Sequence, residues 1–217
     1  MRTGSSPLAR LALLAGAVGP PLFVLVFLVD GLVHPAYNAV TDFVSELSRG
    51  ELGWLQILNF VVFGAAMIVF AAGIRWGTRR AAGSVAGPPL FALIGASLVA
   101  AGIFVTDAHT STTATTAGTI HQLVSLVVFA GVIAACFVFA RRFHGAMRVY
   151  SLLSGAAVLL LILATGIVGE RVGATGVVQR VTIAVGWAWI SILALALRGE
   201  PGPSPSASPS TQGRRGV

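Results

Sequence analysis

The sequence predicts an all-α integral membrane protein, with six transmembrane helices in one compact bundle and a short amphipathic helix in the first outer loop. Three observations support this class: 56% of the 217 residues are hydrophobic, only 10% are charged, and the mean hydropathy is +0.89. A typical soluble domain carries about 25% charged residues, so a soluble globular protein is excluded. A disordered chain is also excluded, because such chains are poor in apolar residues.

Six stretches are long and apolar enough to cross a hydrocarbon core of about 30 Å, which takes roughly 20 residues. The first stretch exceeds the short apolar core of a signal peptide and contains Pro20 and Pro21, which predict a kink. The predicted spans are 11–33, 55–74, 88–105, 119–140, 149–168 and 178–197. Residues 1–10 then form the N-terminus, 11–198 the transmembrane domain, and 199–217 a disordered Pro/Ser-rich tail.

Features within the later spans are typical of a membrane bundle. Trp54 and Trp76 bracket the second span, as interfacial anchors do. Small residues recur in the third and fifth spans, where they let helix backbones approach closely. The single Cys136 of the fourth span can form no intrachain disulfide. Trp187 and Trp189 lie in the middle of the sixth span, where they either face lipid or pack inside the bundle.

The arginine distribution predicts the orientation. All fourteen basic residues are arginine, and eleven of them fall in the termini and in alternate loops. Because positive residues collect on the cytoplasmic side, both termini are predicted to be cytoplasmic. The arginines form short clusters between apolar runs and no basic face, so nucleic acid is not an expected partner. Membrane lipids are the expected partners, and the sequence defines no oligomeric state.

The polar side chains collect at the predicted outer end of the bundle. Two ionisable residues, Asp30 and His121, lie within spans, where such groups usually face the bundle interior or a wet cavity. The inner halves of most spans are nearly pure hydrocarbon, which argues against a pore for charged solutes. The acidic and histidine residues of the outer end are Asp30, His34, Asp42, Glu46, Glu51, Asp107, His109, His121 and Glu170.

The first outer loop carries the pattern of a short amphipathic helix that ends at Gly50. Its apolar residues at α-helical spacing are Val40, Phe43, Val44 and Leu47. Its polar residues at the same spacing are Asp42, Ser45, Glu46 and Arg49. In one interpretation this polar stripe is a solvated face with a local Glu46–Arg49 pair. In the other, the helix folds over the bundle mouth as a lid with Ser45 and Glu46 turned inward.

The second outer loop offers Asp107, His109 and His121 as candidate functional residues. Neutral imidazole and carboxylate are suitable ligands for a single divalent metal such as Zn, with Asp107 and His121 as ligands and His109 as a possible third. The same residues could form a metal-free acid/base site. They could also provide structural hydrogen bonds between helix ends. Glu170 and Arg171 either complete the cluster or pair with their neighbours.

The sequence is similar to the membrane family called domain of unknown function 998, over roughly residues 8–198. The residues that carry this resemblance include Asp42, Ser45-Glu46-Leu47, Gly53-Trp54, Asn59-Phe60, Gly102-Ile103-Phe104, Asp107, Gly118 with His121, and Gly169-Glu170-Arg171. The resemblance implies a six-helix protein of a prokaryotic plasma membrane whose activity is not established. The candidate site residues that match the pattern are Asp42, Ser45, Glu46, Asp107, His121, Glu170 and Arg171.

Two functional hypotheses follow from these observations. The first is a membrane enzyme that acts on a lipid or lipid-linked substrate at the outer leaflet. In this hypothesis Asp107 and His121 are metal ligands or an acid/base pair, and Ser45 and Glu46 lie on the lid. The second is a membrane binding, transport or assembly protein in which the polar cluster is structural.

Overall fold

The computed structural model describes residues 7–77, 83 and 85–199, and these contain helices and no β-strand. Residues 200–217 of the predicted tail and residues 1–6 of the predicted N-terminus lie outside the described residues. In chain order the elements are α1 (Pro7–Val33), a 3₁₀ helix (Val44–Ser48), α2 (Gly53–Gly77), α3 (Gly87–Ile103), α4 (Thr116–Ala140), α5 (Gly145–Ala164), a π-helix (Thr165–Gly169), α6 (Glu170–Val172) and α7 (Thr175–Gly199).

Six of these helices are apolar and form the predicted membrane bundle. By length and composition, α1, α2, α4, α7 and the helix formed by α5 with the π-helix are able to cross a membrane. Helix α3 is apolar but has 17 residues. At 1.5 Å per residue it measures roughly 26 Å, slightly less than a typical hydrocarbon core. The prediction of an all-α membrane protein with six such helices is therefore confirmed.

The six long helices pack as a closed ring. Each contacts its neighbour along the chain, from α1 to α5, then α5 contacts α7 and α7 contacts α1. Large aromatic side chains fill the centre of this ring. Phe23, Phe63 and Trp187 pack together, with ring centroids 5.0 to 6.1 Å apart. Trp189 stacks against Phe91 at 6.5 Å. Both tryptophans of α7 are buried, so they pack inside the bundle and do not face lipid.

Glycine allows α2 and α3 to approach each other closely. A Cβ atom added at Gly64 would lie 2.6 Å from the carbonyl oxygen of Gly95, and one added at Gly95 would lie 2.5 Å from the carbonyl oxygen of Gly64. Any larger residue at either position must push the helices apart. Inside the bilayer the hydrophobic effect does not drive helices together, so close packing between small residues stabilises their association.

The helix predicted in the first loop is present, but it is shorter and wound differently. Its backbone hydrogen bonds join residues three apart, from Glu46 to Phe43 and from Arg49 to Glu46. A 3₁₀ helix has three residues per turn, so residues at α-helical spacing do not share one face. Val44, Glu46, Leu47 and Ser48 are all buried. The interpretation of Glu46 as part of a solvated face is therefore wrong.

Three connecting segments lie at the same end of the bundle, because consecutive long helices run in opposite directions. These are segment 34–52 between α1 and α2, segment 104–115 between α3 and α4, and segment 165–174 between α5 and α7. We call this the polar end. It holds all of the candidate site residues except His121, which lies in the second turn of α4.

Candidate functional site

Segment 34–52 is anchored to the first turns of α7. The backbone N–H of Val177 donates to the carbonyl of Val40 at 3.2 Å. The backbone N–H of Val44, at the start of the 3₁₀ helix, donates to Oε1 of Gln179 at 2.7 Å. These bonds satisfy backbone groups that would otherwise have no helical partner. They fix the 3₁₀ helix over the end of the bundle.

Arg180 and Thr175 of α7 strengthen this anchor. Arg180 donates through Nη1 to the carbonyl of Asp42 at 3.2 Å and through Nη2 to the hydroxyl of Tyr37. Its guanidinium carbon also lies 5.4 Å from the centre of the Tyr37 ring. Burial raises the pKa of Tyr37 above its ordinary value, although Arg180 opposes the effect. The Thr175 hydroxyl donates to the carbonyl of Thr41.

Glu46 joins this segment to segment 104–115. Its side chain is only 7% exposed, and its carboxylate accepts three hydrogen bonds. Oε1 accepts from the Phe43 backbone N–H at 3.1 Å and lies 2.9 Å from Nδ1 of His109. Oε2 accepts from the His109 backbone N–H at 3.2 Å and lies 3.6 Å from Nη1 of Arg49. We call the Glu46–His109 pair the latch, because it ties two loops that are separate in sequence.

His109 has the geometry of an acid/base group. When Nδ1 carries the proton that it donates to Glu46, the lone pair of the neutral ring is on Nε2. Nε2 makes no hydrogen bond with any described residue, and the side chain is 26% exposed. The Phe43 ring packs edge-on against the imidazole at 6.1 Å. Oδ1 of Asp42 lies 3.9 Å from Nδ1, so a second carboxylate is close by.

Two other candidates, Asp42 and Ser45, lie beside the latch. The Asp42 carboxylate accepts from the backbone N–H of Asn38 at 2.8 Å and from the hydroxyl of Thr41 at 2.7 Å. Ser45 lines a small cavity beneath the 3₁₀ helix. Its carbonyl accepts from the Ser48 hydroxyl at 2.7 Å, but the structure does not bring its own hydroxyl into hydrogen bond with His109.

Asp107 stabilises the start of α4. Its carboxylate accepts from the backbone N–H and the hydroxyl of Thr115, at 2.8 and 2.9 Å. These two bonds lower the pKa of Asp107 below its ordinary value. Thr115 in turn caps α4, because its hydroxyl oxygen accepts from the Gly118 backbone N–H at 3.0 Å. Gly118 must stay small, since an added Cβ would lie 2.0 Å from Oδ2 of Asp107.

His121 bonds to different groups from Asp107. Its Nδ1 lies 2.9 Å from the carbonyl of Ala101 and 2.8 Å from that of Phe104, at the end of α3. The side chain is 3% exposed, packs edge-on against Phe60, and its Nε2 has no partner among the described groups. Nδ1 is therefore the donor, and His121 joins α4 to α3.

The predicted metal ligands Asp107, His121 and His109 are not brought together. Within residues 7–77, 83 and 85–199, no group of three or more His, Cys, Asp or Glu side chains is placed to hold a metal ion. Arg171 is exposed and pairs with no described side chain. The side chain of Glu170 lies outside the described part of the structure. Among the described side chains, the predicted site residues contact their neighbours in smaller groups around Glu46, Asp107 and His121.

A cavity of about 40 Å³ lies between the 3₁₀ helix and the helices below it. A buried water needs roughly 10–15 Å³ of such space, so the cavity accommodates about three groups of that size. Its polar lining residues are Ser45, Ser125 and Gln179. Its apolar lining residues are Phe23, Val44, Phe60, Leu98, Ala101, Val128, Phe129, Ile183 and Trp187.

A second ionisable pair lies at the end of α1. Oδ1 of Asp30 lies 3.3 Å from Nδ1 of His34, and both side chains are at least nine-tenths buried. Oδ2 of Asp30 has no partner among the described groups. The carboxylate faces protein and not lipid, as expected for an ionisable group within a membrane span.

Sequence analysis identified most of these residues but missed how they pair. The latch joins residues 63 positions apart, and no periodic pattern connects two loops. Arg180 and Gln179 also escaped notice as partners of segment 34–52. One available signal was the scarcity of arginine at the predicted outer end of the bundle, which makes Arg180 unusual. The spacing of Thr115 and Gly118 is the other, because a threonine before a helix is a favourable N-cap.

Six apolar helices around an aromatic core, with most of the acidic residues gathered at one end, define a multi-pass membrane protein. The chain belongs to the family described as "Protein of unknown function (DUF998)", whose model matches residues 17–196. The resemblance seen in the sequence is thereby confirmed. No curated protein and no solved structure matches the chain.

Proposed function

We propose that this protein is a membrane enzyme that acts on a lipid or lipid-linked substrate, with the latch as its acid/base pair. The observation that carries the proposal is the 2.9 Å contact between Nδ1 of His109 and Oε1 of the buried Glu46. A carboxylate in this position fixes the imidazole tautomer and leaves Nε2 able to accept a proton.

The chemistry follows from this arrangement. Nε2 of His109 takes the proton of a water or hydroxyl group as its oxygen attacks the ester of the substrate, and Glu46 stabilises the imidazolium that forms. The imidazolium then returns this proton to the leaving oxygen as the original ester bond breaks. General acid/base catalysis of this type contributes typically 10²- to 10⁴-fold to a rate. Oδ1 of Asp42, 3.9 Å from Nδ1 of His109, places a second carboxylate beside the pair.

The proposed location is the outer face of a prokaryotic plasma membrane. The arginine distribution predicts that both termini are cytoplasmic, which puts the polar end outside. The latch then lies near the lipid headgroups of the outer leaflet. In this proposal Ser45 contacts the substrate, while Asp107 and His121 position segment 104–115 around His109. A divalent metal such as Zn, and roles for Glu170 and Arg171, stay predictions of the sequence.

The test is a lipid conversion assay with purified protein in vesicles of bacterial polar lipids and lipid-linked sugars, analysed by mass spectrometry. We expect wild type to convert one lipid class, and His109→Asn to lose at least about 100-fold of that activity. The matched control is His144→Asn, because His144 is exposed at the opposite end of the bundle. Equal conversion by wild type and His109→Asn contradicts the proposal.

A structural role for the polar end is the second candidate. It is favoured by the three hydrogen bonds that Glu46 accepts, which join two loops without any ligand. In that case His109→Asn lowers the Tm in detergent and changes no lipid. The two candidates are therefore separated by the same pair of variants.

A further inference from the structure

The cavity beneath the 3₁₀ helix is lined by a buried hydrogen-bond donor that has no partner among the described residues. Trp187 lines it, and the indole N–H of this buried residue makes no hydrogen bond with the described residues. Leaving such a donor unsatisfied in the interior is costly, and native structures rarely do so without a reason. The unsatisfied N–H indicates that something which accepts a hydrogen bond belongs in the cavity.

The other polar groups of the lining are also neutral donors. The side-chain oxygen of Gln179 is occupied by the backbone N–H of Val44, so its –NH₂ group is available. Ser45 and Ser125 each contribute a hydroxyl. Together with Trp187, these groups suit a ligand that presents acceptor oxygens and no charge.

The lining of the cavity is not suited to binding phosphate. Tight binding of phosphate uses Arg or Lys, and the lining contains neither. The arginines that follow the lining residues Ser45 and Gln179 in the chain are occupied elsewhere. Arg49 lies 3.6 Å from Glu46, and Arg180 donates to Tyr37 and to the carbonyl of Asp42. The cavity therefore favours a carbonyl or ester oxygen over a phosphate oxygen.

The surroundings of the cavity are suited to the apolar part of a lipid. The remaining lining is hydrocarbon and aromatic, and a volume of about 40 Å³ has room for a small polar group and not for a whole lipid. An apolar groove of about 180 Å³ between α1 and α2 shares Phe23 with the cavity and is lined mainly by side chains such as Val18, Leu22 and Val62. This groove offers an apolar surface along which an acyl chain can lie.

From these observations we infer that the cavity binds the ester group of a neutral, uncharged lipid of the diacylglycerol type, with the Trp187 indole donating to its carbonyl oxygen. The inference rests on the proposed function, because it specifies the class of lipid on which the latch acts. The lipid enters beside Ser45, which places its ester under the 3₁₀ helix that carries Glu46.

The inference is tested by binding of tritiated dioctanoylglycerol to the purified full-length protein in detergent, measured by scintillation proximity. We expect saturable binding that unlabelled dioctanoylglycerol displaces at lower concentration than dioctanoyl phosphatidylglycerol does. Trp187→Phe keeps an aromatic ring but removes the N–H, and is expected to weaken binding about tenfold. Ser125→Ala removes one hydroxyl group from the lining and is also expected to weaken binding.

Trp189→Phe is the matched control, because Trp189 is equally buried, lies outside the cavity, and donates to Ser151 at 3.0 Å. It should bind dioctanoylglycerol as wild type does. Absence of saturable binding, stronger displacement by the phospholipid, or wild-type affinity in Trp187→Phe overturns the inference.

The failure of this inference can be distinguished from the failure of the proposed function. His109→Asn leaves the cavity intact and should bind dioctanoylglycerol with wild-type affinity. Binding without conversion by wild type refutes the enzymatic proposal and keeps the site. Conversion that is lost in His109→Asn, with dioctanoylglycerol binding absent, refutes the site and keeps the enzyme.

Discussion

Breaking the latch should destabilise the protein in a way that depends on which partner is removed. Glu46→Ala deletes the acceptor of three N–H donors, two of which belong to His109. Leaving a buried hydrogen-bond donor without its acceptor costs about 1–3 kcal/mol, at the lower end for partly exposed donors such as these, so the loss of all three should cost about 3–5 kcal/mol. His109→Ala is milder, at about 1–2 kcal/mol, because Glu46 keeps the Phe43 N–H and the His109 side chain is already 26% exposed.

The double variant gives the energy of the contact itself. If the two side chains interact directly, Glu46→Ala with His109→Ala should cost less than the sum of the single variants, by about 1–2 kcal/mol. The measurement is the free energy of unfolding in mixed micelles with increasing dodecyl sulfate, followed by far-UV circular dichroism. Glu51→Ala is the control, since Glu51 is an exposed acid of the same loop and should change stability by less than about 0.5 kcal/mol. Additive single variants, or Glu46→Ala no worse than Glu51→Ala, refute the reasoning.

Three further predictions concern the bundle and the start of α4. Gly64→Ala should destabilise the protein by about 1–3 kcal/mol, because the added methyl group pushes α2 away from α3. Gly186→Ala is the control and should be neutral or stabilising, since a Cβ there would lie no closer than 3.4 Å to its neighbours. Thermal unfolding compares the two variants. Thr115→Ala removes the N-cap and should cost about 1 kcal/mol in the same assay. The pKa of Asp107 is lowered from 3.8, so its ionised form stabilises the fold fully above that pH and progressively less as the pH falls through the lower folded value. Between about pH 6 and about pH 2 the Tm of wild type should therefore fall more than that of Asp107→Asn; parallel curves contradict this assignment.

The membrane helices could be predicted because the signal is long and redundant. A stretch of about 20 apolar residues has few alternatives to a membrane helix. The ends were harder to predict wherever an arginine lies near them. Helix α5 begins at Gly145, before Arg148, and α2 continues to Gly77, past Arg75. A long arginine side chain can reach water from within the last turn, so the charge does not mark the end of the helix.

The candidate site could be predicted only in part, because its pairs are formed between loops. The sequence indicates that acids and histidines gather at one end, and Glu46 and His109 are among them. It contains no signal that Asp107 bonds to Thr115, or that His121 bonds to the carbonyls at the end of α3. Without these two assignments, His109 cannot be singled out as the partner of Glu46. The winding of the 3₁₀ helix also escaped prediction, since five residues are too few to establish a period.

Closure of the helix ring has a consequence for how the protein is made. Helix α1 leaves the ribosome well before α7, yet these two helices are neighbours in the finished bundle. Until α7 is inserted, α1 has a face without its final partner, and segment 34–52 lacks the α7 groups that hold it. Assembly of the polar end must therefore wait until α7 is inserted, and a chain truncated before α7 should present an open bundle to the quality-control proteases of the membrane.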